Sequence, residues 1–323
     1  MILAFLAQSI LHGLIAAFFV EALLGRCRVG DAGWRLRFRA LALAIPLLAD
    51  PVLFAAAPFR ESAAFAARWA LFAGERWNQV RVGGVGLGSL ALLGSAGLGS
   101  ALFLRDAVPP LLDLLRGGRA IPDAARWHAA ADALRPVVER QAARFGVAPP
   151  GIRVVQASSP VLMCEGVRRP VLTVSPVTLE RIHGEELDAA VAHELAHVAH
   201  RDPAWGYALV LVRGLLFFNP AVQWVARAMV DDIERRADQA AVRVTGRAAA
   251  LARVIIAVFH ADNPPPGDGD ASFERVFWRI RREGVERRCA RLALPDLGAP
   301  VCRGRALFAL SGAVLLALTF FVV

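Results

Sequence analysis

The sequence predicts a mainly α-helical membrane protein, a multi-span helical bundle that also carries an α+β domain. Three observations predict it. The 323 residues are 56% hydrophobic and only 20% charged, at a mean hydropathy of +0.48. Four runs with little or no charge approach the ~20 residues that a membrane helix needs. A less apolar middle section alternates helical and strand-like patterns. This composition excludes disordered, collagen-like and disulfide-stapled classes. The formal charge of +9 arises from 37 basic residues that are all Arg and cluster beside apolar runs, which points to a membrane before it points to nucleic acid.

Residues 1–24 hold one acid, Glu21, and no base. They read as a retained span, because a cleaved signal peptide would begin with a basic region. Residues 25–39 form a short loop crowded with Arg26, Arg28, Arg35, Arg37 and Arg39. A second span, 40–57, is interrupted by Pro46 and by Asp50-Pro51, and an aspartate at that depth is costly unless it faces other helices. In residues 58–81, Arg60, Arg68, Arg76 and Arg81 are interleaved with Phe65, Trp69, Phe72 and Trp77, the pattern of an interfacial helix. The third span, 82–104, is uncharged, and Gly84 and Gly88 stand at a helix-packing spacing. It lacks the GxGxxG order, the preceding strand and the Lys of a phosphate-binding loop. Residues 305–323 make a fourth span. The Arg excess of the first loop, repeated at Arg105, Arg116 and Arg119, places both regions on the cytosolic side. The expectation is therefore an inner-membrane protein with its N-terminus outside and residues 105–304 in the cytosol. There, Cys27, Cys164, Cys289 and Cys302, which form no CxxC pair, are expected as reduced thiols.

Within the middle section, Pro109-Pro110 and Gly117-Gly118 precede a helical pattern over about 123–145. Strand-like runs at 152–155, 161–164 and 171–174 predict a small antiparallel sheet. A long helix over 184–200 is stopped by Asp202-Pro203. Two apolar segments, 204–218 and 221–230, joined at Asn219-Pro220, read as a hairpin lying against the bilayer or the other spans, each being short for a crossing. A Pro- and Gly-rich loop follows at 262–270, and then a helix rich in Arg from Arg275 to Arg291, which reads as a solvated face near anionic lipid.

The chemistry lies in His193-Glu194-Leu195-Ala196-His197. At 3.6 residues per turn its two imidazoles share one helix face and can share one Zn²⁺. Glu194, about 100° around the helix, can reach a water beside the metal as general base without becoming a ligand. A catalytic zinc needs a third protein ligand and an open position. Glu234, in Asp231-Asp232-Ile233-Glu234-Arg235-Arg236-Ala237-Asp238, answers that need, with Asp231 and Asp232 as fallbacks. Asp238, one turn on, would orient a ligand imidazole. Tyr207, His128 and His183 are candidates for an electrophilic helper, each with a structural role as the plainer reading.

The HELAH motif, the following His200-Arg201-Asp202, the Phe217-Phe218-Asn219-Pro220 turn and the Glu-x-x-Ala-Asp segment resemble membrane zinc metallopeptidases of the gluzincin type, above all the β-lactam sensor-transducer (antirepressor) family. Gly166 and Pro170, ahead of an apolar strand, resemble that family's segment before the motif. HtpX-like and CAAX prenyl proteases share HExxH and ExxAD and stand close by. The resemblance covers most of residues 120–323. It implies a gluzincin-like zinc peptidase domain, His193, His197 and Glu234 as ligands, Glu194 as catalytic acid/base and Asp238 behind the ligands. The implied activity is cleavage of a cytosolic or membrane protein, such as a transcriptional repressor, in regulatory signalling, with quality-control proteolysis as the alternative. The sequence stops just after the fourth run, so no extracellular penicillin-binding domain, and no direct β-lactam sensing, is expected. An extended substrate is expected along 171–174, and self-cleavage beside Arg281-Arg282 or Arg287-Arg288 is a further expectation. Membrane lipid is an expected partner, nucleic acid is not, and a homo-oligomer is compatible with the sequence. A membrane scaffold with a structural zinc is the non-enzymatic alternative.

Overall fold

The computed structural model describes residues 2–70, 78–116, 124–157, 160–262, 272–293 and 304–322. The chain forms two compact units, one from residues 1–117, 208–232 and 298–323, the other from 118–207 and 233–297. The expected 105–304 domain is thus divided. Residues 208–232, most of the apolar hairpin, group with the N-terminal helices, because their apolar side chains find partners there.

In the first unit, α1 (Ile2–Arg26) packs along α2 (Ala32–Ala56), and α12 (Gly304–Phe320) packs on both. α2 begins eight residues earlier than the expected span, at an Asp31 cap that accepts from the Trp34 N–H, and it continues through Pro46 and Pro51. Its Arg-rich start is helical because the charges are satisfied internally. Arg39 bonds Glu21 at 2.6 and 2.9 Å and pairs with Asp232, which also accepts from Arg35 at 2.9 Å. Asp232 is thereby spent on these arginines and is removed as a fallback ligand. A short helix, α3 (Ala63–Arg68), follows α2.

A hairpin, β1 (Arg81–Val82) with β2 (Val85–Gly86), turns through Gly83 and Gly84 at positive φ, a region glycine enters without steric cost. The third apolar helix, α4 (Leu87–Arg116), therefore starts after Gly84, and the Gly84–Gly88 packing pair is not formed. Gly99 makes the close approach instead: a Cβ there would collide with the Phe218 carbonyl. Among the described residues, three helical stretches are long and apolar enough to cross a membrane, Phe5–Arg26, Ala32–Ala56 and Leu87–Ala107. α12, expected as a fourth span, is apolar but has 17 residues.

The second unit is built around α7 (Glu185–Ala199). Acidic Glu185, Glu186 and Asp188 suit the positive end of this helix, and Arg201, at φ 56°, turns the chain into α8 (Asp202–Leu215). On one side of α7, Val191 and Leu195 meet Leu134, Val138 and Ala142 of α5 (Ala124–Phe145) and Leu172 and Val174 of the sheet. On the other, Ala189 and Ala192 meet Ala241 and Val242 of α9 (Pro220–Thr245), Leu251 and Ile255 of α10 (Ala248–Asp262), and Leu292 of α11 (Ser272–Leu292). Each fully buried aliphatic side chain contributes about 1.5–3 kcal/mol. Apolar residues on both sides thus hold α7 in the centre, and the motif rides on it.

The sheet has the order β3-β5-β4, from β3 (Gly151–Val154), β4 (Leu162–Glu165) and β5 (Val171–Val174). It is mixed: β4 runs antiparallel to β5, with Cys164 opposite Leu172, while β3 runs parallel to it. β5 is the buried centre strand, paired on both sides, so its backbone has no free edge for a substrate; β4 is the edge strand beside α7. Ser175 caps a short α6 (Pro176–Arg181) that leads to α7.

Candidate metal centre

One turn of α7 presents His193 and His197, and their rings meet edge to face, 88° apart with centroids at 4.7 Å. Their Nε2 atoms stand 3.1 Å from each other. α9 brings up Glu234, whose Oε2 is 3.5 Å from His193 Nε2 and whose Oε1 is 3.7 Å from His197 Nε2. One ligand atom from each of the three residues lies within 4.8 Å of the other two. The spacing suits a single cation: ligand atoms about 2.0–2.2 Å from a tetrahedral zinc lie a little over 3 Å apart. The sequence thus brings together the three residues expected as ligands.

The outer nitrogens of the imidazoles face carboxylates, which turns each Nε2 toward the other ring and Glu234. His197 Nδ1–H donates to Asp202 Oδ2 at 2.9 Å. Asp238 Oδ1 lies 3.1 Å from His193 Nδ1, in ion-pair contact though not aligned for a linear hydrogen bond. Asp202 is in turn paired with Arg236. Asp238 accepts from Arg288 Nε at 2.6 Å and from Arg288 Nη2 at 2.7 Å. Arg288 Nη1 is also 3.0 Å from Glu234 Oε2, and its Nη2 is 3.3 Å from His193 Nε2.

Glu194 is half-buried, and its Oε2 accepts a 2.9 Å bond from the Cys164 backbone N–H of β4. Burial lifts its carboxyl above the ordinary range, against the pull of His193, His197 and that N–H. Burial opposes charge on His193 as well, but Asp238 and Glu234 outweigh it and raise the imidazole to about 10. Burial likewise opposes charge on Asp238, yet the hydrogen bonds from Arg288 and the close contact with His193 hold it below the usual carboxylate value. The neighbouring Cys164 thiol is pushed up to about 12 by burial and then by the charge of Glu194, so it is neutral and unreactive at physiological pH.

The structure adds three groups that the sequence reading did not place here, Asp202, Arg288 and the Cys164 N–H. Asp202 had a local signal, standing five residues after His197, but it read as a helix stop. Arg288 lies 95 residues from His193 in an Arg-rich stretch and had none. The helper candidates do not gather at the site: Tyr207 is 67% exposed, His183 is exposed, and the His128 side chain lies outside the described residues. The Arg287-Arg288 pair lies inside α11, with Arg288 bonded to Asp238, so it is not the exposed linker that self-cleavage would need.

Two histidines and an acid from a second helix could hold a metal ion, with a further half-buried carboxylate on the same helix as the histidines. Residues 131–263 match the family described as BlaR1 peptidase M56. The M56 match contains α7, the sheet and Glu234, so the sensor-transducer resemblance holds over the segment that builds the site. Two HtpX proteases are also similar. That of Idiomarina loihiensis is 30% identical over 103 residues, covering 31% of this chain and 34% of that protein. That of Thioalkalivibrio sulfidiphilus is 28% identical over 104 residues, covering 32% and 34%. The chain thus spans about a third of the length of the curated relatives it matches. Together with the three apolar helices, the M56 match makes this a membrane protein with a metallopeptidase-like domain.

Proposed function

We propose that the protein is a zinc-dependent endopeptidase of the inner membrane, with its N-terminus outside and its M56-like domain cytosolic. The observation that carries the proposal is the convergence of His193 Nε2, His197 Nε2 and the Glu234 carboxylate, with the half-buried Glu194 next to His193 on the same helix. Zinc bound by His193, His197 and Glu234 would supply Lewis acidity, acidifying a water and polarising the scissile carbonyl. Asp202 and Asp238 keep the two imidazoles facing inward, so that little reorganisation is needed on binding. Glu194 takes the proton as the water oxygen bonds to the carbonyl carbon, and returns it to the amine nitrogen when the C–N bond breaks. Its raised pKa brings donor and acceptor forms nearer to balance at neutral pH. An extended substrate segment runs along the edge strand β4, the strand nearest α7, in place of the buried β5.

The substrate is a cytosolic or membrane protein. The M56 match favours regulatory cleavage of a repressor, and the two HtpX relatives favour quality-control proteolysis. The test is zinc content and cleavage of a test protein by the detergent-purified chain beside Glu194→Gln, which keeps the three ligands and removes the base. Both proteins should hold one zinc and only the parent should cut. Zinc in both with no cleavage by the parent would leave a scaffold with a structural zinc. The inactive Glu194→Gln chain, cross-linked in cells, then decides the substrate class: a transcriptional repressor supports signalling, and damaged membrane proteins support quality control.

A further inference from the structure

Arg288 has no part in the expected ligand set, yet its guanidinium touches three members of the site. It binds both oxygens of Asp238, at 2.6 and 2.7 Å, stands 3.0 Å from Glu234 Oε2 and 3.3 Å from His193 Nε2. The helix that delivers it is anchored close by: Val285, Cys289 and Leu292 of α11 pack against the cluster containing Ala189 and Ala192 of the motif helix and Leu251 of α10. Two parallel N–H···O bonds fix a carboxylate in direction as well as distance, which a point charge does not. Asp238 has only 4% of its surface exposed, and without a partner this buried charge would turn or draw in water instead of facing His193 Nδ1.

The charges agree with this role. Glu194, Asp202, Glu234 and Asp238 place four carboxylates around the ligand cluster, against the two guanidiniums of Arg236 and Arg288. Without Arg288 the carboxylate that orients His193 loses the fork that holds it.

We propose that Arg288 is a positioning residue of the metal centre, locking Asp238 against His193. This rests on the metal-site reading above. The test uses the full chain in detergent, with zinc affinity measured by chelator competition and the electronic spectrum of the Co²⁺-loaded protein as a report of ligand geometry. Arg288→Ala should weaken zinc binding by about 10–100-fold and alter the Co²⁺ spectrum. Arg288→Lys, which keeps the charge but loses the fork, should fall between parent and Ala. Adding Asp238→Asn to Arg288→Ala should cost no more than the larger single loss, because both changes break one unit. Arg287→Ala, whose side chain is 67% exposed, should match the parent.

Unchanged or tighter zinc binding in Arg288→Ala, or losses that add in the double variant, would overturn the proposal. If the Ala chain does not fold, Arg288→Lys carries the test, and a Lys chain identical to the parent in affinity and spectrum overturns it equally. A parent that binds no zinc would sink the metal-site reading itself and this inference with it. A zinc-binding parent with indifferent variants would sink this inference alone.

Discussion

Asp202 shows how much of the site is set by groups that would never touch a metal. It ends the turn after α7, sits 5% exposed, and bonds both His197 and Arg236. Asp202→Asn keeps the shape but offers an amide where the imidazole needs an anionic acceptor, so zinc affinity should fall by about 10–100-fold; competition with a chelator measures it, and an affinity equal to the parent's would deny Asp202 this role. At this scale, what the sequence discloses is what is local. His193, Glu194 and His197 follow from helical periodicity alone, and Glu234 and Asp238 follow from the need for a further ligand together with one-turn spacing. Asp231 and Asp232 stood behind Glu234 as fallbacks in sequence. Only the folded chain shows Asp232 committed to Arg35 and Arg39, partners almost 200 residues away in the sequence. Arg288 was hidden for the same reason, since a basic helix gives no sign of which arginine faces inward.

Between elements, Asp188 near the start of α7 is a clamp. It pairs with Arg140 of α5 and with Arg247, just before α10. Burial pushes its carboxyl up, but the hydrogen bonds from Arg140 and Arg247 outweigh burial and hold it below the ordinary value. A lowered pKa in the folded chain means stability that is present above the unfolded value, near pH 3.9, and is lost as pH falls through the folded one. Asp188→Asn should therefore lower stability by about 1 kcal/mol at neutral pH. The gap from the parent should close in acid below about pH 4, as thermal unfolding across pH would show; a gap independent of pH would argue against the clamp. The sheet illustrates why elements were only half legible. Its three strands lie within one or two residues of the positions expected from β-branched runs and turn residues. Strand order is a non-local choice, and the parallel pairing of β3 with β5 left no mark in the local pattern. The start of α2 was missed because hydropathy counts Arg35 and Arg39 as solvated, whereas Glu21 and Asp232 take up their charge.

For the whole molecule, composition disclosed the membrane and the Arg bias suggested the orientation, and the grouping of residues 208–232 with the first unit agrees with the hairpin expected against the other spans. The orientation is testable at Cys27, which is exposed between α1 and α2 beside Arg26 and Arg28. In a chain retaining Cys27 as its sole cysteine, a membrane-impermeant thiol reagent should leave intact cells unlabelled and label them once permeabilised. Labelling of intact cells would invert the topology and put the M56-like domain outside.

The bond from the Cys164 N–H to Glu194 has an implication for how such a site is surveyed. The donor is main chain, so replacing Cys164 with alanine, serine or valine leaves it in place. A scan that truncates one side chain at a time would pass over residue 164 and score it as filler for the sheet. Proline, which has no N–H to give, is the single natural residue that would delete the contact. The proposed general base, Glu194, is thus steadied by a feature that side-chain identity does not encode.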